Sequence, residues 1–216
     1  DVYKRQGFDN SEAYSAWKAK KLNSITLPSI SGGTVSGLMS SINWFFTDSH
    51  EDFAIFQIVV KNDSKDGTYY PQYINRITLD SNGEYALCYQ ARTETLLIND
   101  TPTETSLPEG YGVAPFLYVH RVLDFIFSEF GYTITENPFK TDKELSSLVI
   151  LNNAADCCVT GILNYADLMP DCTIEDFLNA LYVRFGLVYN VSSDTKTATL
   201  RPVSYTHLRA HETLRH

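Results

Sequence analysis

The residues best suited to acid–base chemistry lie on one predicted helix. His120 and Asp124 are one helical turn apart, with Arg121 beside them, so the imidazole and carboxylate would orient one another. Cys157 or Cys158 would have to supply a nucleophile. No motif positions the third group that a catalytic triad requires. A solvated helix face explains the helical residues better, and we predict that the chain has no catalytic residue and is not an enzyme.

Metal and phosphate motifs are also missing from the sequence. Residues 62–67 imitate half of a calcium-binding loop, but Tyr73 occupies the position of the bidentate glutamate, and a hairpin turn explains the segment better. The four cysteines lack the CxxC or Cys/His spacing of a metal site, and we expect buried, reduced thiols. There is no P-loop, GxGxxG, HExxH or GxSxG motif. We therefore predict no cofactor and no metal.

The balance of charge bears on the partners of the chain. Lys and Arg total 17 and Asp and Glu total 26, which gives a formal net charge of −9. An acidic chain without a Lys/Arg run argues against binding to nucleic acid or to an anionic membrane surface. No apolar run approaches the ~20 residues that span a bilayer. We expect no nucleic-acid partner and no membrane-spanning segment.

Both ends of the chain have the sequence of translated adapter DNA. Residues 1–6 are the translation of a transposon mosaic end used in sequencing libraries, and residues 203–208 are a frame of its reverse complement. We therefore predict that 1–6 and 203–216 are adapter artefacts flanking an internal metagenomic fragment. Such tails should make few core contacts, and Arg201 should be the last residue in the sheet.

The first region, residues 7–107, is predicted to be β-rich with flanking helices. A helix is expected over residues 11–22, with Ser11 as its N-cap and with Ala13, Ala16 and Trp17 on one side. A second helical pattern comprises Leu38, Ile42, Phe45 and Phe46. Runs of β-branched and aromatic residues predict strands at 53–60, 69–79, 84–92 and 96–99. Polar turns are predicted at 62–67 and 80–83. We expect these strands to form one antiparallel sheet.

The second region, residues 108–202, is predicted to contain two helix–glycine–strand units. In the first, Pro115 suits an initial helical turn, Gly131 ends the helix, and 132–135 is a strand. The apolar stripe of this helix comprises Val119, Val122, Leu123, Ile126, Phe127 and Phe130. Positive φ is expected at Gly131, and burial beneath the sheet at Phe130.

The second unit repeats this order. Thr173 and Asp176 form a capping box, Gly186 ends the helix, and Phe185 should be buried. The stripe comprises Ile174, Phe177, Leu178, Leu181 and Phe185. The following strand, 187–191, should pair with 197–201. Either an internal duplication or the ordinary form of an amphipathic helix before a strand accounts for the likeness. The predicted fold class is α+β, with a β-rich region followed by two helix–strand units on a sheet.

Five stretches of the chain carry a family resemblance, mainly within residues 108–202. They are 110–119, 130–139, 149–153, 165–178 and 185–187. Together they resemble tail proteins from phages and prophages of gut bacteria. The resemblance implies a structural virion component near the tail tip or baseplate hub, in an oligomeric assembly with other tail proteins. It implies location in the virion tail, and in the host cytoplasm during assembly.

Two other classes of function remain open at the level of sequence. One is a tail-associated hydrolase whose catalytic part lies outside the fragment. Peptidoglycan turnover by the full-length protein that is lost on mutation of His120 or Asp124 would favour this class. The other is a surface glycan-binding module, for which the fourteen tyrosines and the β-rich first region are the motivation. Glycan-array binding would distinguish that module from the other two classes.

Overall fold

The computed structural model of the chain describes residues 11–42, 50–60, 72–98 and 101–202. The described part has the predicted α+β class. Its helices are α1 (Ser11–Ala19), α2 (Val35–Ile42), α3 (Val119–Glu129), α4 (Pro138–Thr141) and α5 (Ile174–Phe185). Its strands are β1 (Ser29–Ser31), β2 (Phe53–Ala54), β3 (Ile58–Val59), β4 (Tyr73–Ile74), β5 (Ile77–Leu79), β6 (Tyr85–Leu87), β7 (Arg92–Ile98), β8 (Thr101–Leu107), β9 (Phe116–Leu117), β10 (Thr133–Glu136), β11 (Ile162–Asn164), β12 (Leu187–Ser192) and β13 (Thr197–Pro202). None of the helices in these ranges is long and apolar enough to cross a membrane.

The described segments form two compact units that alternate along the chain. Unit 1 comprises described residues 11–26, 119–148 and 170–202. Unit 2 comprises described residues from 27–118 together with 149–169. Pro108, at the predicted boundary between the first and second regions, lies inside unit 2. Each unit therefore draws on segments from both halves of the chain.

Unit 1 contains the two predicted helix–strand units on one three-stranded sheet. The strand order is β10-β13-β12, with β10 parallel to β13 and β12 antiparallel to β13. Gly131 and Gly186 follow α3 and α5 with φ of 80° and 67°, as predicted. The β12–β13 pairing is confirmed, but the expectation that Arg201 is the last residue of the sheet is wrong, because Pro202 pairs with Leu187 and extends β13 by one residue.

The prediction that the phenylalanines before these two glycines are buried overestimates how much of each side chain is covered. Phe130 and Phe185 are half-buried, because each lies at the C-terminal end of its helix. Phe130 stacks on Trp17 and on Tyr132, with ring centroids 5.4 and 5.6 Å apart. Phe185 meets Phe139 edge-on at 5.4 Å.

Trp17 is the centre of the aromatic core of unit 1. It is 2% exposed, its Nε1 donates to the Ile126 carbonyl at 3.0 Å, and its ring contacts Phe127 and Tyr189. Burying roughly 200 Å² of indole stabilises the fold by about 5 kcal/mol. The neighbouring Tyr14 hydroxyl is 2.7 Å from the Tyr189 hydroxyl. Burial is the main cause that raises the pKa of Tyr189 above its usual range, so the Tyr189 hydroxyl stays protonated.

Helix α1 buries Tyr14 and Trp17, whereas Ala16, predicted on the same side as Trp17, is exposed. The larger aromatic surfaces bury because they remove more apolar area from water than a methyl group does. The helix also ends at Ala19, before the predicted end at residue 22, and a 3₁₀ turn follows at Leu22–Ser24.

Unit 2 is built from two-stranded antiparallel ribbons, and the prediction of one sheet is wrong. The strand pairs are β1–β11, β2–β9, β3–β4, β5–β6 and β7–β8. The predicted strand 53–60 is divided because residues 55–57 have no strand partner. The described part of the predicted 69–79 strand contains β4 and β5, and the predicted 84–92 strand contains β6 and the first residue of β7, Arg92. Residues 96–98 of the predicted 96–99 strand are the end of β7, which pairs with β8. The predicted turn at 80–83 joins β5 to β6.

Pro115 does not begin a helix, which is a second correction in unit 2. The residues after it form β9, in which Phe116 and Leu117 pair with Ala54 and Phe53. This pairing overrides the local preference of proline for a first helical turn. Helix α3 begins at Val119. The expectations for Phe45, Phe46, the 62–67 turn and the 203–216 tail lie outside the described residues.

Asn75 joins three separate stretches of unit 2. It is fully buried and has a positive φ of 54°, a conformation that asparagine adopts more readily than most residues. Its Nδ2 donates to the carbonyls of Phe56 and Ala114 at 3.1 and 2.8 Å, and its Oδ1 accepts from the Ala114 amide at 2.9 Å. Its backbone amide donates to the Gly112 carbonyl at 2.7 Å. The side chain thereby meets the hydrogen-bonding needs of two loops.

We predict that Asn75→Asp destabilises the protein strongly. The change replaces the Nδ2 donor by an oxygen that faces two carbonyl oxygens. This should lower the free energy of unfolding by about 3 kcal/mol or more. Asn190→Asp makes the same change at an exposed position, on β12 of unit 1, and should alter stability by less than about 0.5 kcal/mol. Thermal and urea unfolding measure both. Equal effects of the two substitutions would contradict the role of Asn75.

The capping box of α5 generates a prediction about pH. Thr173 Oγ1 donates to Asp176 Oδ2 at 2.6 Å and accepts from the Asp176 amide at 3.1 Å. The Thr173 hydroxyl and amide hold the pKa of Asp176 below its ordinary 3.8. Because the folded-state pKa is lowered, this contribution to stability is present above the unfolded pKa and is lost as pH falls through the folded pKa.

In Thr173→Val, the pKa of the Asp176 carboxyl should therefore rise toward its ordinary value. The substitution keeps a β-branched side chain and removes the hydroxyl, and loss of the cap should lower helix stability by about 1 kcal/mol. Carbon-detected NMR titration of the Asp176 carboxyl measures the shift. An unchanged titration curve in the variant would show that the hydroxyl is not its cause.

Candidate functional site

The sequence-predicted acid–base residues lie on α3, where the structure pairs Asp124 with Arg121. Arg121 Nη1 donates to Asp124 Oδ2 at 3.2 Å, and about a quarter of each side chain is exposed. The Arg121 guanidinium also lies over the Phe125 ring, 5.3 Å from its centroid. His120 is half-buried on the same helix. The Asp124 carboxylate is therefore held in an ion pair with the guanidinium one turn away on the same helix.

The vicinal cysteines are buried thiols of unit 2. Cys157 Sγ donates to the Val113 carbonyl at 3.2 Å and lies 3.8 Å from Cys158 Sγ. The hydrogen bond with Cys158 and burial raise the pKa of Cys157 far above its ordinary value. Since the thiolate is the nucleophilic form, this environment suppresses reactivity. All four cysteines are free, but Cys88 and Cys172 are only half-buried, so the expected burial holds for two of them.

A pocket of about 420 Å³ lies on unit 1 between α3, β10 and α4. Its polar wall includes Arg121, Asp124, Thr135, Asn137 and Lys140. Two cations and one anion give this wall a formal charge of +1, on a chain whose net charge is −9. The described residues contain no group of three or more His, Cys, Asp or Glu side chains that could hold a metal ion. The pocket therefore suits a small anionic group.

Asn137 is the most buried polar residue of the pocket wall, at 8% exposure. Its Oδ1 caps α4 by accepting from the Phe139 amide at 3.0 Å. Its Nδ2 is buried and has no hydrogen-bond partner among the described residues. A buried donor without an acceptor costs about 1–3 kcal/mol, so a ligand oxygen at this atom would be favoured.

Sequence reasoning missed Asn137 and Lys140. A local signal was present, because Asn137 followed by Pro138 is the pattern of an N-cap and a first helical residue. That signal finds the short helix α4, but it does not show that α4 and the Arg121 face of α3 share a pocket. The pocket depends on how β10 brings these two helices together.

We predict that the vicinal thiols resist labelling in the folded protein. A maleimide should label Cys88 and Cys172 faster than Cys157 and Cys158, because the latter pair is buried and burial favours the thiol form of Cys157. Time-resolved peptide mass spectrometry measures the four rates, with the denatured chain as the control. Rapid labelling of Cys157 in the folded state would reopen the hypothesis of a thiol nucleophile.

Comparison with known proteins assigns the chain to no family. No protein-family model, curated protein or solved structure matches it. The basis for a function is therefore the chain's own surfaces and the resemblance carried by its sequence.

Proposed function

We propose that this chain is a non-enzymatic structural component of a phage or prophage tail, of the tip or baseplate-hub kind. It assembles with other tail proteins, in the host cytoplasm first and then in the virion tail. The sequence stretches between residues 108 and 202 that resemble phage tail proteins support the class of protein. The ribbons of unit 2 support the role in assembly.

The observation that carries the proposal is the apolar surface of the β5–β6 ribbon. Leu79 and Tyr85 lie opposite each other on its two strands and are 60% and 66% exposed. Val59, on β3 of the same unit, is 69% exposed. Exposed apolar side chains on adjacent positions mark surfaces that bind other proteins.

The strand edges of unit 2 support the same role. Each ribbon has two strands, so each strand is paired on one side only by the strands in the described residues. A strand edge with unpaired amides and carbonyls is a template for pairing with another chain. An isolated two-stranded ribbon is also only marginally stable in water, and a neighbouring subunit would stabilise it.

We expect Leu79→Thr with Tyr85→Thr to disrupt assembly and leave the fold intact. Threonine retains strand propensity, and both positions are exposed, so the melting temperature should change little. Size-exclusion chromatography with light scattering, on the chain co-expressed with the proteins encoded beside it, should show loss of the complex. Mass spectrometry of purified particles should show reduced incorporation of the double variant.

Leu151→Thr is the matched control for this experiment. Leu151 is 60% exposed in the same unit but lies outside the ribbons, so its substitution should leave assembly unchanged. Disruption by Leu151→Thr to the same extent would contradict a specific role for the ribbon. A chain that stays monomeric with its neighbours and is absent from particles would rule out the proposed function.

A further inference from the structure

Strand β10 has an open edge. It is the outer strand of the β10-β13-β12 sheet and pairs only with β13 among the described strands. The Thr133 amide donates to the Lys196 carbonyl on that side at 2.9 Å. Backbone groups alternate in direction along a strand, so the amide and carbonyl of Ile134 point to the opposite edge. This edge offers a donor and an acceptor to an added strand.

The cationic pocket lies along this strand. Residues 132–135 form one wall, Arg121 of α3 lies on one side, and Lys140 of α4 on another. The Lys196 ammonium adds a further positive charge beside the wall, 5.3 Å from the centroid of the Tyr132 ring. The acidic side chain of β10 itself, Glu136, pairs with Arg201 at 3.2 Å. The local field therefore favours an anionic group next to an unpaired strand edge.

Asn137 specifies what that group must provide. Its Nδ2 is a buried donor without a partner among the described residues, whereas its Oδ1 is already used to cap α4. An ammonium or another amide donor would not satisfy Nδ2, but a carboxylate oxygen would. Arg121 donates to Asp124 through Nη1, and its guanidinium brings a positive charge to the same pocket wall as Lys140. The donor set fits a carboxylate.

We propose that the open edge of β10 binds an extended acidic segment of a partner protein. The segment adds a strand beside β10 by hydrogen bonding to Ile134, and one of its carboxylates binds between Arg121, Asn137 and Lys140. Strand addition supplies affinity through the backbone, and the pocket supplies specificity through the side chain. This inference concerns unit 1 and does not rest on the proposed tail function.

The test uses a terminally blocked peptide of alternating threonine and glutamate and its glutamine counterpart. Isothermal titration calorimetry with the full chain should show binding of the glutamate peptide, and NMR should show a shift of the Ile134 amide. Asn137→Asp retains the Oδ1 that caps α4 and replaces the Nδ2 donor by an oxygen. Both Asn137→Asp and Lys140→Gln should weaken binding by roughly tenfold or more.

Lys143→Gln is the matched control, because Lys143 is exposed on unit 1 and does not line the pocket. Its effect on binding should be within about twofold, as expected for an exposed charge outside the contact. Equal binding of the glutamine peptide would overturn the carboxylate assignment. Binding of inorganic phosphate or glutarate as tight as that of the peptide would overturn strand addition. Absence of peptide binding would overturn the whole proposal.

Discussion

The hydrogen bonds of the buried Asn75 are the constraint on which unit 2 depends. Its strands occur in pairs, and a pair of strands has too little buried surface to be stable alone. Asn75 joins the loops at Phe56 and Ala114 through one side chain whose donors and acceptor are all used. Phe53 and Phe116 are among the largest fully buried side chains of the apolar core of that unit. Unit 2 thus combines small ribbons with one fully satisfied polar contact.

The helices and strands of unit 1 agree closely with the prediction, because the sequence patterns that predict them are local. The capping box at Thr173, the left-handed glycines 131 and 186 and the β12–β13 hairpin each involve residues near one another in the chain. The partners of Trp17 could not be read in this way. Its contacts with Ile126 and Tyr189 join positions more than a hundred residues apart, and no pattern within α1 indicates them.

The strands of unit 2 and the pocket could not be predicted from the sequence, for three reasons. Strand β8 alternates threonine with polar or small residues, so the apolar periodicity that indicates a buried strand is absent. At Pro115, the pairing of β9 with β2 outweighs the local preference of proline for the first turn of a helix. Asn137 was readable as a cap, but its unpaired donor is a property of packing and has no sequence signal.

The interleaving of the two units has a consequence for synthesis on the ribosome. Tyr14 and Tyr189 are 175 positions apart, so α1 is made long before the strand that covers it. At about 5–20 residues per second, that interval lasts roughly 10 to 35 s. A nine-residue helix is not stable alone in water, and its tyrosine and tryptophan have nothing to bury against. The nascent segment is therefore a natural ligand for chaperones until the last strands emerge.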